Sequence, residues 1–370
     1  MAGVLPAFLT GGLGVQISAE FGVEEGAMGL AFAAYFATAS VSSATLGGVA
    51  ERIGARAALL LAPLLSAALQ LGIAVWARSY FALFFLLAIA GTSNALAQPA
   101  ANLALARVIP AERQGFAFGL KQSAVPICTL LGGLAVPVFA VGVGWRWAFV
   151  AGAGLAVLAS LAALFSPADD RDPSCRAEPT GQTVPPPRRA RMVLALGIGC
   201  GAAAAGAMAA FLVATGVKAG LSEASSGVWL TVGSLSGLVV RLGSGFLADR
   251  YSVRPLRVVV VMLALGTPAF AALAVGVPWI HCVATPIAFG AGWAWPGLFN
   301  LAVVRAYPDA PARATGVTQT GTYIGAVIGP LVFGIMAERS YFLAWMGATA
   351  MMIAAALAMH VADRSLEAGA

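Results

Sequence analysis

Lys121 and Arg241 are positively charged residues that lie inside long apolar segments of this chain. At about 1.5 Å per helical residue, Lys121 lies about 12 Å in from Arg113, and Arg241 lies about 12 Å in from Asp249. A cation inside a membrane helix costs at least about 2.5–3.5 kcal/mol, so it normally faces a cavity or a partner. The alternative is that both long side chains extend to the headgroups at the membrane surface.

Few acidic residues in the apolar segments of the chain could pair with these two cations. All 15 aspartates and glutamates fall in loops or at the ends of apolar segments, which makes an internal ion pair hard to build. The remaining way to stabilise a cation in a cavity is an anionic ligand. We therefore expect Lys121 and Arg241 to bind a small anion.

Polar and aromatic side chains in other apolar segments could complete the same site. Amides inside hydrocarbon seek hydrogen-bond partners, so bonding between helices explains each of them equally well, and plain packing is an alternative for the tryptophan. The candidate substrate-binding residues beside the two cations are Gln98, Asn102, Gln122, Trp295, Asn300, Gln319 and Tyr323.

The composition predicts an all-α membrane protein in which helices position these residues. The chain is 60% hydrophobic and 10% charged, with a mean hydropathy of +0.89, so it could not keep a water-facing surface polar if it were globular. A helix needs about 20 apolar residues to cross a bilayer. Windows of that length predict twelve spans, numbered 1 to 12 in chain order: 1–18, 27–49, 57–76, 79–106, 115–140, 145–165, 192–217, 225–247, 256–275, 278–304, 314–336 and 341–361.

The second half of the chain repeats the first at a shift of 198 residues. Asn102-Leu103-Ala104 returns as Asn300-Leu301-Ala302, each followed by an arginine and a proline at the same spacing. Gly22 and Gly29 return as Gly220 and Gly227. Such duplication is typical of secondary transporters, whose two halves rock around a site between them.

The positive charges predict the orientation of the spans. If the turn after span 2 is cytoplasmic, 15 of the 21 lysines and arginines lie on the cytoplasmic side and four lie on the opposite side. Because positive residues are enriched on the cytoplasmic side of membrane proteins, we expect both termini in the cytoplasm. The expected location is the plasma membrane. The predicted units are an N-terminal bundle over 1–165, a cytoplasmic linker over 166–191 and a C-terminal bundle over 192–370. The linker is rich in proline and charge and poor in apolar residues.

A glycine, an acidic residue and two arginines recur at matching positions in the two halves. They are Gly47, Glu51, Arg52 and Arg56 after span 2, and Gly245, Asp249, Arg250 and Arg254 after span 8. The pattern resembles the cytoplasmic signature of the major facilitator superfamily, although Glu51 replaces the usual aspartate and Ser252 the usual second glycine. The resemblance covers essentially the whole chain. It implies a twelve-helix fold of two pseudo-symmetric six-helix bundles, with these residues as a cytoplasmic gate; a solvated turn is the alternative.

This resemblance implies a secondary transporter that works by alternating access, and no enzyme. Lys121 and Arg241 suggest a small organic anion as its substrate. A proton-coupled efflux antiporter for drugs or metabolites is the alternative, although proton relays generally need a membrane carboxylate or histidine. A membrane-embedded enzyme or a sensor is a further class of function. Against an enzyme, the sequence contains neither a zinc-binding motif nor a membrane histidine with an acid. Against a sensor, the sequence contains no segment that predicts a soluble output domain.

The remaining expectations concern partners and the start of the chain. The four cysteines are far apart and no glycine-rich phosphate loop occurs, so neither a metal nor a cofactor is expected. The expected partners are a small-molecule substrate and the lipid bilayer, and no nucleic acid is expected. We expect the protein to be a monomer. Mapping span 7 onto span 1 places Met1 opposite Gly199. We therefore expect span 1 to be truncated, because the true start lies upstream or the chain is a fragment.

Overall fold

The computed structural model describes residues 1–108, 120–165, 188–250, 254–307 and 311–367, and within these ranges it contains helices and no β-strand. The helices follow the predicted spans. Their bounds are Leu5–Gly12 and Gly14–Phe21 (span 1), Glu25–Ile53 (span 2), Ala55–Trp76 (span 3), Tyr80–Val108 (span 4), Ala124–Ala135 with the π-helical turn Val136–Ala140 (span 5), Arg146–Leu164 (span 6), Arg188–Lys218 (span 7), Glu223–Arg250 (span 8), Pro255–Leu273 (span 9), Pro278–Gly290 and Pro296–Ala306 (span 10), Pro311–Arg339 (span 11) and Tyr341–Glu367 (span 12).

Nine helices of the described ranges are long and apolar enough to cross a membrane. They correspond to all the predicted spans except 1, 2 and 10. Span 2 is a helix of 29 residues, but its inner half, 38–48, is largely alanine, serine, threonine and glycine, which lowers its hydropathy. Spans 1 and 10 are each divided into two shorter helices.

The prediction of a continuous helix in spans 1 and 10 was wrong. Span 1 breaks at Leu13, whose φ and ψ of −93° and 9° lie outside the helical region; the flanking glycines Gly11, Gly12 and Gly14 give the helix little support there. Span 10 is unwound over 291–295 and restarts at Pro296, a residue that suits the first position of a helix because it lacks an N–H. Trp293 and Trp295 therefore lie in a break and not inside a helix.

The predicted linker lies largely outside the described residues. The helix of span 7 begins at Arg188, so 188–191 are helical although they were assigned to the linker. Residues 166–187 lie outside the described ranges. The division into bundles over 1–165 and 192–370 stays a prediction, and the two parts are called the N-half and the C-half below.

Small residues bring the spans into backbone contact. On span 11, Gly321, Gly325 and Gly329 recur every four residues, and a Cβ at any of them would overlap with a backbone carbonyl of span 7. This ridge packs closely because membrane helices associate through small residues that let backbones approach.

The duplicated glycines Gly29 and Gly227 make equivalent contacts between the two halves. A Cβ at Gly29, on span 2, would overlap with the carbonyl oxygen of Pro330 on span 11. A Cβ at Gly227, on span 8, would lie 2.6 Å from the carbonyl oxygen of Gly133 on span 5. The sequence repeat thus corresponds to a pseudo-twofold pair of contacts between the halves.

Polar contacts join the halves at the ends of the spans that are predicted to face away from the cytoplasm, called the outer side below. The Gly26 N–H donates to Glu338 Oε1 at 2.9 Å, and the Tyr341 hydroxyl donates to Glu25 Oε1 at 3.1 Å. The first bond links span 2 of the N-half to span 11 of the C-half, and the second links span 2 to span 12. Together with the glycine contacts, they close the outer side of the interface.

Candidate functional site

A cavity of about 310 Å³ lies between the two halves. Its lining residues come from spans 1, 2, 4 and 5 of the N-half and from spans 7, 8, 10 and 11 of the C-half. The glycine and polar contacts of the outer side close one end of this interface. Near the predicted cytoplasmic ends, a Cβ at Gly48, Gly243 or Gly245 would have no atom of the described residues within 4 Å.

Most of the residues selected from the sequence line this one cavity. Asn102 is the exception, because its side chain lies outside the described part of the chain. No aspartate or glutamate occurs among the lining residues that the structure describes. The residues that the cavity brings together are Gln98, Lys121, Gln122, Arg241, Trp295, Asn300, Gln319 and Tyr323. Their role in binding a substrate stays a prediction.

Arg241 is held by two backbone carbonyl groups from opposite halves. Its Nη1 donates to the Gln122 oxygen at 2.7 Å and its Nη2 to the Trp293 oxygen at 2.7 Å. In a regular helix the Gln122 oxygen would accept from residue 126, but Pro126 has no N–H to donate. Trp293 lies in the break of span 10, where the helical pattern is interrupted. Two local irregularities thus supply the oxygens that position the guanidinium.

The guanidinium of Arg241 retains a donor that the described protein does not satisfy. Arg241 is 7% exposed, and its Nε is buried without a hydrogen-bond partner in the described residues. A buried donor without a partner costs about 1–3 kcal/mol, and more when the group is charged. Arg241 also lines the cavity, where an anion could stabilise its positive charge.

Lys121 is next in the sequence to a contact of Arg241. It precedes Gln122 on span 5, and the Gln122 carbonyl accepts a hydrogen bond from the guanidinium of Arg241 on span 8. Both residues line the cavity, one from each half. The expectation that these cations face a cavity, and not the membrane surface, agrees with this placement.

An aromatic wall completes the cavity, and most of it was not predicted. Phe8, Phe32 and Phe36 line the cavity together with Trp293 and Trp295. Trp295 is buried, and its indole N–H donates to the Gly292 oxygen at 2.8 Å, so the break itself satisfies this polar group. The available signal for the phenylalanines was the four-residue spacing of Phe32 and Phe36, which places both on one face of span 2.

The predicted gate residues are only partly described. The side chains of Glu51 and Asp249 lie outside the described part of the chain, while Arg52 and Arg250 are exposed. Arg254 lies 3.8 Å from Asp363 Oδ1 on span 12. Three further members are described. Gly47 approaches Pro99 of span 4, and a Cβ at Gly245 would have no atom of the described residues within 4 Å. Arg56 donates to the Leu164 carbonyl at 2.6 Å.

The sequence of the chain matches a family model along nearly its whole length. Residues 3–330 match the model of the Major Facilitator Superfamily. The chain belongs to the major facilitator superfamily. The predicted all-α fold of this superfamily is thereby confirmed, and the molecule is a multi-span membrane transporter, as the resemblance implied.

A curated relative supports the same assignment. This superfamily member is 27% identical over 344 residues to the chloramphenicol resistance protein of Streptomyces lividans, a match that covers 88% of this chain and 83% of the relative. The identity is low, so the compound named for that protein does not by itself identify the substrate of this one.

Solved structures share the fold. A bacterial homologue of the human lysosomal transporter Spinster, in an inward-facing and occupied conformation, superposes with a TM-score of 0.72 at 16% identity, covering 98% of this chain and 95% of that one. The nucleoside transporter NupG, as a point mutant, superposes with a TM-score of 0.70 at 16% identity, covering 98% of both chains. At such identities the similarity shows the fold alone.

Proposed function

We propose that this superfamily member transports a small organic anion by alternating access, with the anion bound between Lys121 and Arg241. The observation that supports this proposal is that both cations line one cavity between the halves. No aspartate or glutamate occurs among the lining residues that the structure describes. An anionic substrate would place a negative charge beside Arg241, whose guanidinium is bonded to neutral carbonyl groups.

The contacts of Arg241 suggest how the anion is bound. Both hydrogen bonds of the guanidinium go to neutral carbonyl groups, which leave its positive charge uncompensated. A carboxylate of the substrate would accept from the remaining N–H groups in a charge-assisted bond, which is roughly twice as strong as a neutral one. Arg241 also contacts both halves. The substrate would therefore bind at a position where the two halves move relative to each other during transport.

The closed outer side supports a transport cycle in which the site is exposed to one side at a time. In the present conformation, contacts between spans 2 and 11 and between spans 5 and 8 close the outer side. Opening these contacts while closing the opposite ends would expose the cavity to the other side. The positive-inside bias supports placing the protein in the plasma membrane with both termini in the cytoplasm.

Efflux of an uncharged amphipathic compound is the second candidate function. It is favoured by the similarity to the chloramphenicol resistance protein and by the aromatic wall of the cavity. This candidate predicts that neutral compounds bind as well as anions of the same shape. It gives no role to the two cations that line the cavity.

Transport into proteoliposomes separates the two candidates. The purified protein would be reconstituted, and the uptake of radiolabelled organic acids compared with that of their neutral amides. We expect uptake of acids that is lost in Lys121→Gln and in Arg241→Gln. The control is Arg364→Gln, which removes the same charge from an exposed position on span 12. Equal uptake of amides and acids, or normal uptake by both cavity variants, would contradict the anion proposal.

A further inference from the structure

An unbroken row of aromatic rings crosses the cavity from one half to the other. The centroids of Phe36 and Phe32 are 5.3 Å apart, and those of Phe32 and Phe8 are 6.0 Å apart in an edge-to-face arrangement. Phe8 then lies 6.2 Å from Trp293. These spacings fall within the 4.5–7 Å range over which aromatic pairs attract each other. The row therefore joins spans 1 and 2 of the N-half to the break of span 10.

Trp293 connects the row of rings to Arg241. It is the member of the row that belongs to the C-half, and its backbone carbonyl accepts the 2.7 Å bond from Arg241 Nη2. The same guanidinium is bonded to Gln122, the residue beside Lys121. One arginine thus fixes an aromatic surface and a positive charge relative to each other.

We infer that the substrate is an aromatic acid, a compact anion with a flat apolar body. Its carboxylate, or an equivalent anionic group, binds between Lys121 and Arg241. Its ring lies against the row formed by Phe8, Phe32, Phe36 and Trp293. This inference rests on the proposed transport of an organic anion and specifies the class of anion.

The size of the cavity restricts the substrate further. A volume of about 310 Å³ lies at the lower end of the range of about 300–1,000 Å³ that is typical of ligand pockets. One or two fused rings with one acidic group fill such a space. Larger amphipathic molecules would require the halves to separate.

Three probes of matched shape test the inference: 2-naphthoate, its saturated counterpart decahydro-2-naphthoate, and the neutral 2-naphthamide. Their dissociation constants would be measured by isothermal titration calorimetry on the purified protein at low ionic strength. A ring that packs edge-to-face or offset gains about 0.5–1.5 kcal/mol beyond its buried area, so we expect 2-naphthoate to bind about two- to tenfold more tightly than the saturated acid. Loss of the charged hydrogen bonds is expected to weaken the amide by about tenfold or more.

Two variants locate the ring preference. Trp293→Leu and Phe36→Leu replace aromatic rings of the row by aliphatic side chains, and each is expected to abolish the preference for 2-naphthoate over the saturated acid. The preference for the acid over the amide should remain, because both cations remain. Phe36→Leu serves if the Trp293 variant does not fold. The control is Trp279→Leu, a change on the same span at a residue that is 68% exposed, and it should leave both preferences unchanged.

The outcomes distinguish the inference from the proposed function. Equal binding of the aromatic and saturated acids would overturn the aromatic substrate class and leave anion transport standing. Equal binding of 2-naphthoate and 2-naphthamide would overturn the anion site and the inference with it. An aromatic preference that persists in both row variants, or that is lost in Trp279→Leu, would also overturn the inference.

Discussion

Replacing Gly227 by alanine is expected to open the outer side of the transporter. A Cβ at this position would lie 2.6 Å from both the Gly133 oxygen and the Val136 Cβ, across the interface between spans 8 and 5. Ordinary van der Waals contact begins at 3.4 Å, so the added methyl group is about 0.8 Å too close. The strain arises only when the outer side is closed, because separation of the two spans removes the overlap.

The expected effect is a shift in the population of the two conformations. Overpacking of this kind costs about 1–3 kcal/mol, which lowers the ratio of outer-closed to outer-open protein by about 5- to 150-fold. Membrane insertion should be little affected, because alanine is at least as good a helix former as glycine. The shift depends on the strain being absent from the open conformation.

Electron–electron double resonance would measure this shift directly. Spin labels at Arg78 and Val275 report on the outer side, since both positions are exposed and lie in loops of the N-half and the C-half respectively. The labels would be placed in a background without native cysteines. We expect the Gly227→Ala variant to populate longer distances than the parent.

Gly154→Ala is the matched control for this experiment. Gly154 also lies within a span, but a Cβ at this position would have no atom within 4 Å. The control should reproduce the distances of the parent. The reasoning is refuted if folded Gly227→Ala protein gives the parent distribution, or if Gly154→Ala shifts it equally.

Four further predictions follow from other contacts. Glu338→Ala removes the acceptor of a 2.9 Å bond across the outer side, so it should lengthen the same spin-label distances. Gly325→Ala overlaps with the backbone of span 7 and should lower the melting temperature of the purified protein. Hydrogen bonds from Arg146 lower the pKa of Glu20 from its ordinary value. The stability that this pair adds is present at neutral pH and lost as the pH falls through the lowered pKa, so Glu20→Gln should lower the melting temperature at neutral pH and much less at acidic pH. Asp249→Asn should slow transport turnover more than it weakens equilibrium binding, because the resemblance places this acid in the gate and not in the cavity.

Each of these four predictions has a clear contrary result. Unchanged distances in the Glu338 variant would show that the bond does not hold the outer side closed. An unchanged melting temperature in Gly325→Ala would show that the ridge on span 11 tolerates a side chain. A pH-independent effect of Glu20→Gln would exclude the ion pair as its cause. Weakened binding with normal turnover in Asp249→Asn would remove the gating role.

The fold class and most of the helices could be predicted from the sequence, because membrane insertion restricts which structures an apolar segment can form. Long apolar windows must become helices, since helices satisfy all of their own backbone hydrogen bonds in lipid. The shift of 198 residues relates Gly29 to Gly227, and the structure places both in equivalent contacts between the halves. Cations inside apolar windows, such as Lys121 and Arg241, pointed to a cavity because lipid cannot stabilise them.

The breaks in spans 1 and 10 could not be obtained from the same rules. A window of about 20 apolar residues does not detect a local interruption of the helix such as the one at 291–295. Pro296 was nevertheless a signal for the start of a helix. The oxygen of Gln122 is available to Arg241 because Pro126 follows four residues later. Tertiary packing decides whether another helix supplies a hydrogen-bond donor to such an oxygen, and the sequence windows do not contain that information.

The phenylalanines of the aromatic row were not predicted, because a phenylalanine side chain is equally stable when it faces lipid and when it lines a cavity. Phe85 on span 4 is 60% exposed on the surface of the described protein, whereas Phe32 on span 2 is 1% exposed and lines the cavity. Both occur in apolar segments without a charged face to orient them. Only the packing of the spans distinguishes the two environments.

A crystal structure of the protein grown with 4-bromobenzoate tests the central claim most directly, because the anomalous signal of bromine locates the ligand. We predict that the carboxylate lies between Lys121 and Arg241 and that the bromine peak lies inside the cavity, beside the aromatic row that includes Trp293. A bromine peak outside the cavity, or a carboxylate bound away from both cations, would contradict the assignment of this cavity as the anion site.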